Sequence, residues 1–192
     1  GIHIQRYRMQ SKVILATTGI LLIVPAVYFF FFEFSAEPIG RRILLSAFQS
    51  VTPRTAGFNT ADLTALSETG QTLTIGLMLI GGSPGSTAGG MKTTTAAVLV
   101  ACAVAVFRRR ENGRFFGRRI ADDTVKNAIT VFLMYISLFL LGGMIISRVE
   151  NLPILTCLFE TASAIGTVGL TLGITPGLHL ISKLILISLM FL

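Results

Sequence analysis

Ionisable chemistry is scarce in this chain. Of 192 residues only 13% are charged, and there are two histidines and two cysteines. His3 and His179 have no ligand partner at helical spacing. Cys102 and Cys157 lie inside apolar segments without the short spacings of a metal site, and read as small buried hydrophobes rather than a disulfide. No paired carboxylates or nucleophile–base constellation is present, so an enzyme is not expected. The run Gly81 to Thr93 superficially resembles a phosphate-binding loop but lacks the G-x-x-x-x-G-K-[ST] spacing. So little charge, with apolar residues in long blocks, also excludes an ordinary soluble domain.

What remains is apolar: 52% hydrophobic residues and a mean hydropathy of +0.76. The net charge of +7 could suggest a nucleic acid partner, but its placement argues against one. Arg6, Arg8 and Lys12 flank the first apolar block, and Arg108, Arg109, Arg110, Arg114, Arg118 and Arg119 separate two others. The positive-inside rule puts such clusters in cytoplasmic loops. A multi-pass protein of the cell inner (plasma) membrane is expected, with the lipid bilayer as its surroundings. No cleavable signal is expected at the start, and the run ending at Leu192 suggests a piece of a longer protein.

The pattern predicts an all-α membrane protein built of helix–pore loop–helix repeats, with re-entrant half-helices and one broken transmembrane helix. A first span covers Lys12 to Phe34, with Pro25 as a possible kink site. Ile39 to Val51 is too short to cross and has helical apolar spacing, so it reads as a half-membrane pore helix. The second span is apolar over Thr72 to Ile80, interrupted over Gly81 to Gly90, and resumes over Thr93 to Phe107. Ten residues with five glycines and a proline cannot remain a stable helix. At membrane depth such backbone must be buried in protein or line water. A basic linker, a third span over Val125 to Ser147, a second pore helix over Pro153 to Ile165 and a final span from Pro176 follow. The resulting organisation is a repeat at 1–110, a cytoplasmic basic linker at 111–124 and a second repeat at 125–192.

Two short runs follow the pore-helix candidates: Thr55-Ala56-Gly57-Phe58 and Thr167-Val168-Gly169-Leu170. Their glycines are 112 positions apart, and the same offset aligns Leu77-Met78 with Leu189-Met190. A Thr-x-Gly run between membrane helices suits an ion filter of backbone carbonyls, because glycine admits the conformations that turn carbonyls toward one axis. The charges support this arrangement. The N-terminal flank and the 108–126 loop hold ten basic and three acidic residues, whereas 33–68 holds three basic and four acidic. Both basic segments share a side only if 39–60 re-enters without crossing.

Lys92 and Lys183 fall in or near spans, where a charge is costly. Lys92 is a candidate electrostatic barrier beside the Gly-rich run. Lys183 either snorkels, pairs with Glu160 or serves the pore. Glu160 reads as an anchor of the second pore helix. Arg54 either supports the filter from behind or faces the outer mouth.

Three motifs in order carry a resemblance: Ser50 to Thr60, Gly81 to Thr95 and Ala164 to Thr171. Together they resemble the Trk/Ktr/HKT superfamily of potassium transporters, closest to the membrane subunit of bacterial Ktr systems. The resemblance implies that this chain matches the third and fourth of four pore repeats. It implies channel-like potassium uptake, with potassium at the carbonyls of Thr55, Ala56, Gly57, Phe58, Thr167, Val168, Gly169 and Leu170. The gate would be Gly81, Gly82, Ser83, Pro84, Gly85, Ser86, Thr87, Ala88, Gly89 and Gly90, with Lys92 beside it. It further implies a homodimer docked on a cytoplasmic ring of nucleotide-binding regulatory subunits. No covalently bound cofactor is expected; potassium is the transported ligand, with room for sodium as an activating or coupled ion. The alternative is a secondary transporter of another fold, with a midplane substrate site at the broken helix.

Overall fold

The computed structural model describes residues 9–86, 89–109, 114–115 and 118–191. Seven α-helices carry the fold: α1 (Met9–Tyr28), α2 (Ile39–Val51), α3 (Glu68–Leu79), α4 (Thr93–Phe107), α5 (Asp122–Glu150), α6 (Ile154–Ile165) and α7 (Leu180–Met190). The described strands are the two-residue β1 (Arg114–Phe115) and β2 (Arg118–Arg119), paired as an antiparallel hairpin in the basic linker. Arg6, Arg8, His3 and linker residues 110–113 and 116–117 lie outside the described residues.

Helix length separates two kinds of element. Residues Gln10–Glu33 and Asp122–Glu150 are long and apolar enough to cross a membrane. By contrast α2 has 13 residues and α6 has 12. At 1.5 Å per residue these reach only about 20 Å, short of a hydrocarbon core of about 30 Å. Pro38 and Pro153 stand at their N-caps, where the missing N–H removes no helical bond. The turn into α6 is set by Asn151, which closes α5 in the left-handed conformation at φ 53°.

Pro25 does not break α1. The helix runs through it, and the winding changes only at Phe29–Glu33, a π-helical turn. Wider winding releases a carbonyl: Phe30 O accepts from Arg42 Nε at 2.5 Å, and the Arg42 guanidinium lies 4.1 Å from the Phe30 ring centroid. That explains how an arginine is accommodated on α2 beside apolar α1.

The core is one-sided. Its buried cluster draws on α3, α5, α6 and α7 through Met78, Phe139, Ile146, Phe159, Ile165 and Leu186. Helix α6 is wrapped almost completely, with all eight residues from Phe159 to Gly166 buried. It packs against α5, α7 and α3, thereby joining the first part of the chain to the second. A smaller cluster of Val98, Ile120 and Ala128 ties α4 to the start of α5. Large apolar side chains on α1 and α4, such as Leu15, Ile23, Val100 and Phe107, remain exposed.

Candidate functional site

The two Thr-x-Gly runs adopt the same unusual backbone. Thr55 and Gly57 have φ of 69° and 72°; Thr167 and Gly169 have 50° and 91°. Between them Ala56 and Val168 stay out of the positive region. A β-branched residue there is strained by about 1–3 kcal/mol, and such strain persists only where the surroundings fix it. Here the fixing groups are local. Helix α2 ends directly before the first loop, whose Ala56 and Gly57 amides both donate to Thr52 O. The Thr52 hydroxyl donates to Phe58 O at 2.6 Å. In the second loop Val168 N donates to Ser163 O at 2.8 Å, and Gly169 N to the Ser163 hydroxyl at 3.2 Å.

The structure brings these loops together. A methyl group on Gly57 would collide with the Val168 carbonyl, so only glycine permits this approach. Gly166 also sits too close for a side chain to the carbonyl of Met78, near the C-terminal end of α3, though less closely than Gly57 to Val168.

The Gly-rich segment lies against both loops. Its ends are fastened by backbone bonds: Met91 N to Leu79 O at 3.1 Å, Gly81 N to Met91 O at 2.9 Å and Thr93 N to Gly82 O at 3.2 Å. Gly81 and Gly89 pack back to back, leaving no room for a side chain on Gly81. Beyond this waist Ser83–Ser86 form a turn in which Ser86 N donates to Ser83 O at 3.1 Å. Thr87 and Ala88 lie outside the described residues. Lys92 Nζ donates to Ser86 O at 3.3 Å, so it holds the turn directly. A methyl on Gly89 would strike the Thr167 hydroxyl. Arg54 donates from Nη2 to Gly81 O at 3.5 Å, while its buried Nε has no partner.

A sequence model of the TrkH family, described as a cation transport protein, matches residues 9–192. The chain belongs to the TrkH family. It is therefore a membrane protein of the Trk/Ktr superfamily, a family of cation transporters rather than of enzymes. This TrkH-family chain is 40% identical to the potassium/sodium uptake protein NtpJ of Enterococcus hirae, over 98% of its own length and 44% of the relative. It is 35% identical to the Ktr system potassium uptake protein B of Bacillus subtilis, over 96% of itself and 43% of the relative. The chain thus spans less than half the length of these curated relatives. The crystal structure of the potassium transporter TrkH from Vibrio parahaemolyticus has the same fold, at a TM-score of 0.74 and 21% identity, over 94% of this chain and 41% of that one.

Two glutamates of this TrkH-family chain, whose partners sequence spacing does not expose, tie the long helical segments to the starts of α3 and α7. Glu33, ending the first long helical segment, accepts from Ser67 N, the N-cap of α3, and fills the space beside Gly70. Glu150, ending α5, accepts from His179 N, the N-cap of α7, and from the Ser182 hydroxyl. His179 Nδ1 lies 2.8 Å from Glu150 Oε2, with the histidine side chain 72% exposed and the glutamate 5%. Ser67 and His179, and Gly70 and Ser182, are again 112 positions apart. That offset was the available signal; the partner glutamates do not share it.

Glu160 behaves differently from a partner for Lys183. Its oxygens accept from the Thr171 hydroxyl at 2.6 Å, Leu172 N at 2.9 Å and the Thr175 hydroxyl at 2.7 Å. It anchors the chain leaving the second loop. Lys183 instead donates to Pro176 O at 2.9 Å. Cys102 and Cys157 are free thiols.

Proposed function

We propose that this chain forms part of the pore of a channel-like potassium uptake subunit, with Thr55–Phe58 and Thr167–Leu170 as two walls of a carbonyl filter. One observation carries this reading: the paired left-handed residues at Thr55/Gly57 and Thr167/Gly169, in loops that touch at Gly57 and Val168. Alternating handedness flips every second peptide plane. Carbonyls that would alternate sides in a strand then turn to one side, where they can replace an ion's water shell. Helices α2 and α6 end at the loops, and the partial negative charge of a helix C-terminus favours a cation there.

On this reading α2 and α6 are re-entrant half-helices, and α3 and α4 are the halves of one broken transmembrane helix. The units are a repeat at 1–110, a cytoplasmic linker at 111–124 and a second repeat at 125–192. The shared 112-residue offset supports this, because it relates the Leu63–Ala65 and Thr175–Gly177 3₁₀ turns as well as the two loops. Segment 81–90 is the gate. The approach of its Gly89 to Thr167 of the second filter run favours a gate over a simple connector.

The homologous names extend the proposal. NtpJ is named for potassium and sodium uptake, and the Bacillus protein for a Ktr system. We assign this chain potassium as its transported ion, with sodium as an activating or coupled ion, in the cell inner membrane. The whole subunit would act as a homodimer with a cytoplasmic nucleotide-binding ring.

Flux of potassium or rubidium into proteoliposomes carrying the full-length subunit that contains this chain tests the proposal. Deleting Ser83 to Ala88 should raise flux while preference for potassium over sodium persists. A well-expressed deletion variant with wild-type flux and regulation would refute the gate; absence of any cation flux from the wild-type protein would refute the pore.

A further inference from the structure

The waist of the Gly-rich segment is gripped from two directions. On one side Arg54, between α2 and the first filter run, reaches Gly81 O at 3.5 Å. On the other, Thr167 of the second run lies against Gly89. Between these grips Gly81 and Gly89 touch through bare backbone, and Gly81 N is fixed to Met91 O. Two loops 112 positions apart therefore press on the same pair of glycines.

Arg54 is the unusual member of this set. At the equivalent position the second loop has Gly166, which meets the Met78 carbonyl with its own backbone. The first loop spans a corresponding gap with a long cationic side chain. Arg54 is only partly exposed, and its Nε is buried without a partner. A buried, incompletely satisfied guanidinium is costly, so packing alone gives no reason for arginine here. Among the described residues its hydrogen-bond partner is the Gly81 carbonyl at the head of the Gly-rich segment, just beyond the end of α3. Helix ends leave carbonyls unpaired and carry partial negative charge, which a guanidinium complements.

We infer that Arg54 is a positioning residue for ion selectivity, coupling the waist at Gly81 and Gly89 to the first filter run. This rests on the reading of 55–58 and 167–170 as filter and 81–90 as gate. A shift of the waist moves Gly81 O, and Arg54 transmits that shift to the backbone one residue before Thr55. The same shift moves Gly89 against Thr167. Selecting then depends on the waist rather than on the tip: the filter holds its carbonyls in register while Arg54 and Thr167 stay seated on Gly81 and Gly89, whether or not the turn at 83–86 obstructs the path. An arginine that merely filled space would have no such effect.

The test uses the full-length subunit in proteoliposomes, comparing wild type with Arg54→Gln, Arg54→Lys and Gly89→Ala. Rubidium and sodium fluxes are measured separately, so selectivity is read as their ratio. Arg54→Gln should lower that ratio by about fivefold or more, the lower range of ordinary coupling between sites. Arg54→Lys, which keeps a cationic donor within reach of a carbonyl, should restore most of it. Gly89→Ala should lower the ratio from the other side. A wild-type ratio in Arg54→Gln overturns the inference, as does equal loss in Arg54→Gln and Arg54→Lys. If Arg54→Gln does not fold, a wild-type ratio in Gly89→Ala overturns it. Failure of the underlying filter reading is separate: wild type itself would then show no potassium preference.

Discussion

Phe58 and Leu170 occupy equivalent places in two loops of the same backbone shape, yet Phe58 is 71% exposed and Leu170 is 2% exposed. The second loop is embedded. Val168 and Leu170 enter the main core, and the buried Glu160 ties the exit chain through two hydroxyls and an amide. The first loop is held at its base. Thr52 closes it onto Phe58 O, and Asn59 and Thr60 then run exposed. Helix-end bonds hold the strained residues in both halves; a core and a carboxylate on the exit chain reinforce them in the second, and the approach of the Val168 carbonyl limits them in the first. The backbone geometry is the common requirement, and side chains reach it by different routes.

The largest expected effect tests the approach of the loops. A side chain at either glycine incurs left-handed strain of about 1–2 kcal/mol. At Gly57 it also meets the Val168 carbonyl, while at Gly169 this chain leaves open space. Gly57→Ser should therefore reduce potassium-over-sodium flux and thermal stability more than Gly169→Ser. Equal losses would mean that contact between the loops is unimportant.

Next comes the difference in anchoring. Glu160→Ala leaves three donors without their carboxylate, at about 1–3 kcal/mol for each that stays buried. Thr52→Val removes one hydroxyl bond, about 1 kcal/mol. The thermal midpoint of the purified full chain should fall several degrees further for Glu160→Ala. A larger fall for Thr52→Val would invert the comparison.

A third measurement asks whether the halves share an orientation. Single cysteines at Glu68 and Leu180, the first residues of α3 and α7, should label from the same side of the membrane in a background lacking Cys102 and Cys157. A cysteine at Asn112 should label from the other. Labelling of Glu68 and Leu180 positions from opposite sides would remove the correspondence.

The smallest effect concerns the 3₁₀ turn of the first half, Leu63–Ala65. The Thr64 hydroxyl and N–H hold the Asp62 carboxyl below the usual carboxylate range. Stabilisation from this depressed group is present above the unfolded value of about 3.9 and lost as pH falls through the lower folded value. The protection of the Thr64 amide, its exchange rate relative to an unstructured peptide at the same pH, should therefore fall in acid in wild type, with no such acid step in Asp62→Asn. The 3₁₀ turn of the second half begins at Thr175 and has no carboxylate cap of this kind, so its own amides should show no matching step.

Much of the architecture was legible because helix limits are local. The limits expected for α2 and α4 coincide with Ile39–Val51 and Thr93–Phe107, since apolar spacing, Pro38 and the Gly-rich run define them within a few residues. The two loops were legible through glycine, whose conformational role is fixed by its own lack of a side chain. The partners of charged groups were not. Glu33 meets Ser67 across 34 positions, and Glu160 meets Thr175 across 15, distances that no helical periodicity encodes. Lys183 lies near Glu160 in expectation only, because hydroxyls and an amide already occupy that carboxylate. The π turn after Pro25 was equally hidden, since a phenylalanine run does not announce a change of winding.

The fastening of the Gly-rich segment has a consequence for its tip. Three described bonds that join 79–82 to 91–93 run main chain to main chain, so they ask little of side-chain identity. Residues beyond the waist can be shortened, lengthened or exchanged while α3 and α4 keep their relation, because closing a somewhat longer loop costs little. A change of length or sequence at the tip therefore leaves α3 and α4 joined on the same main-chain frame.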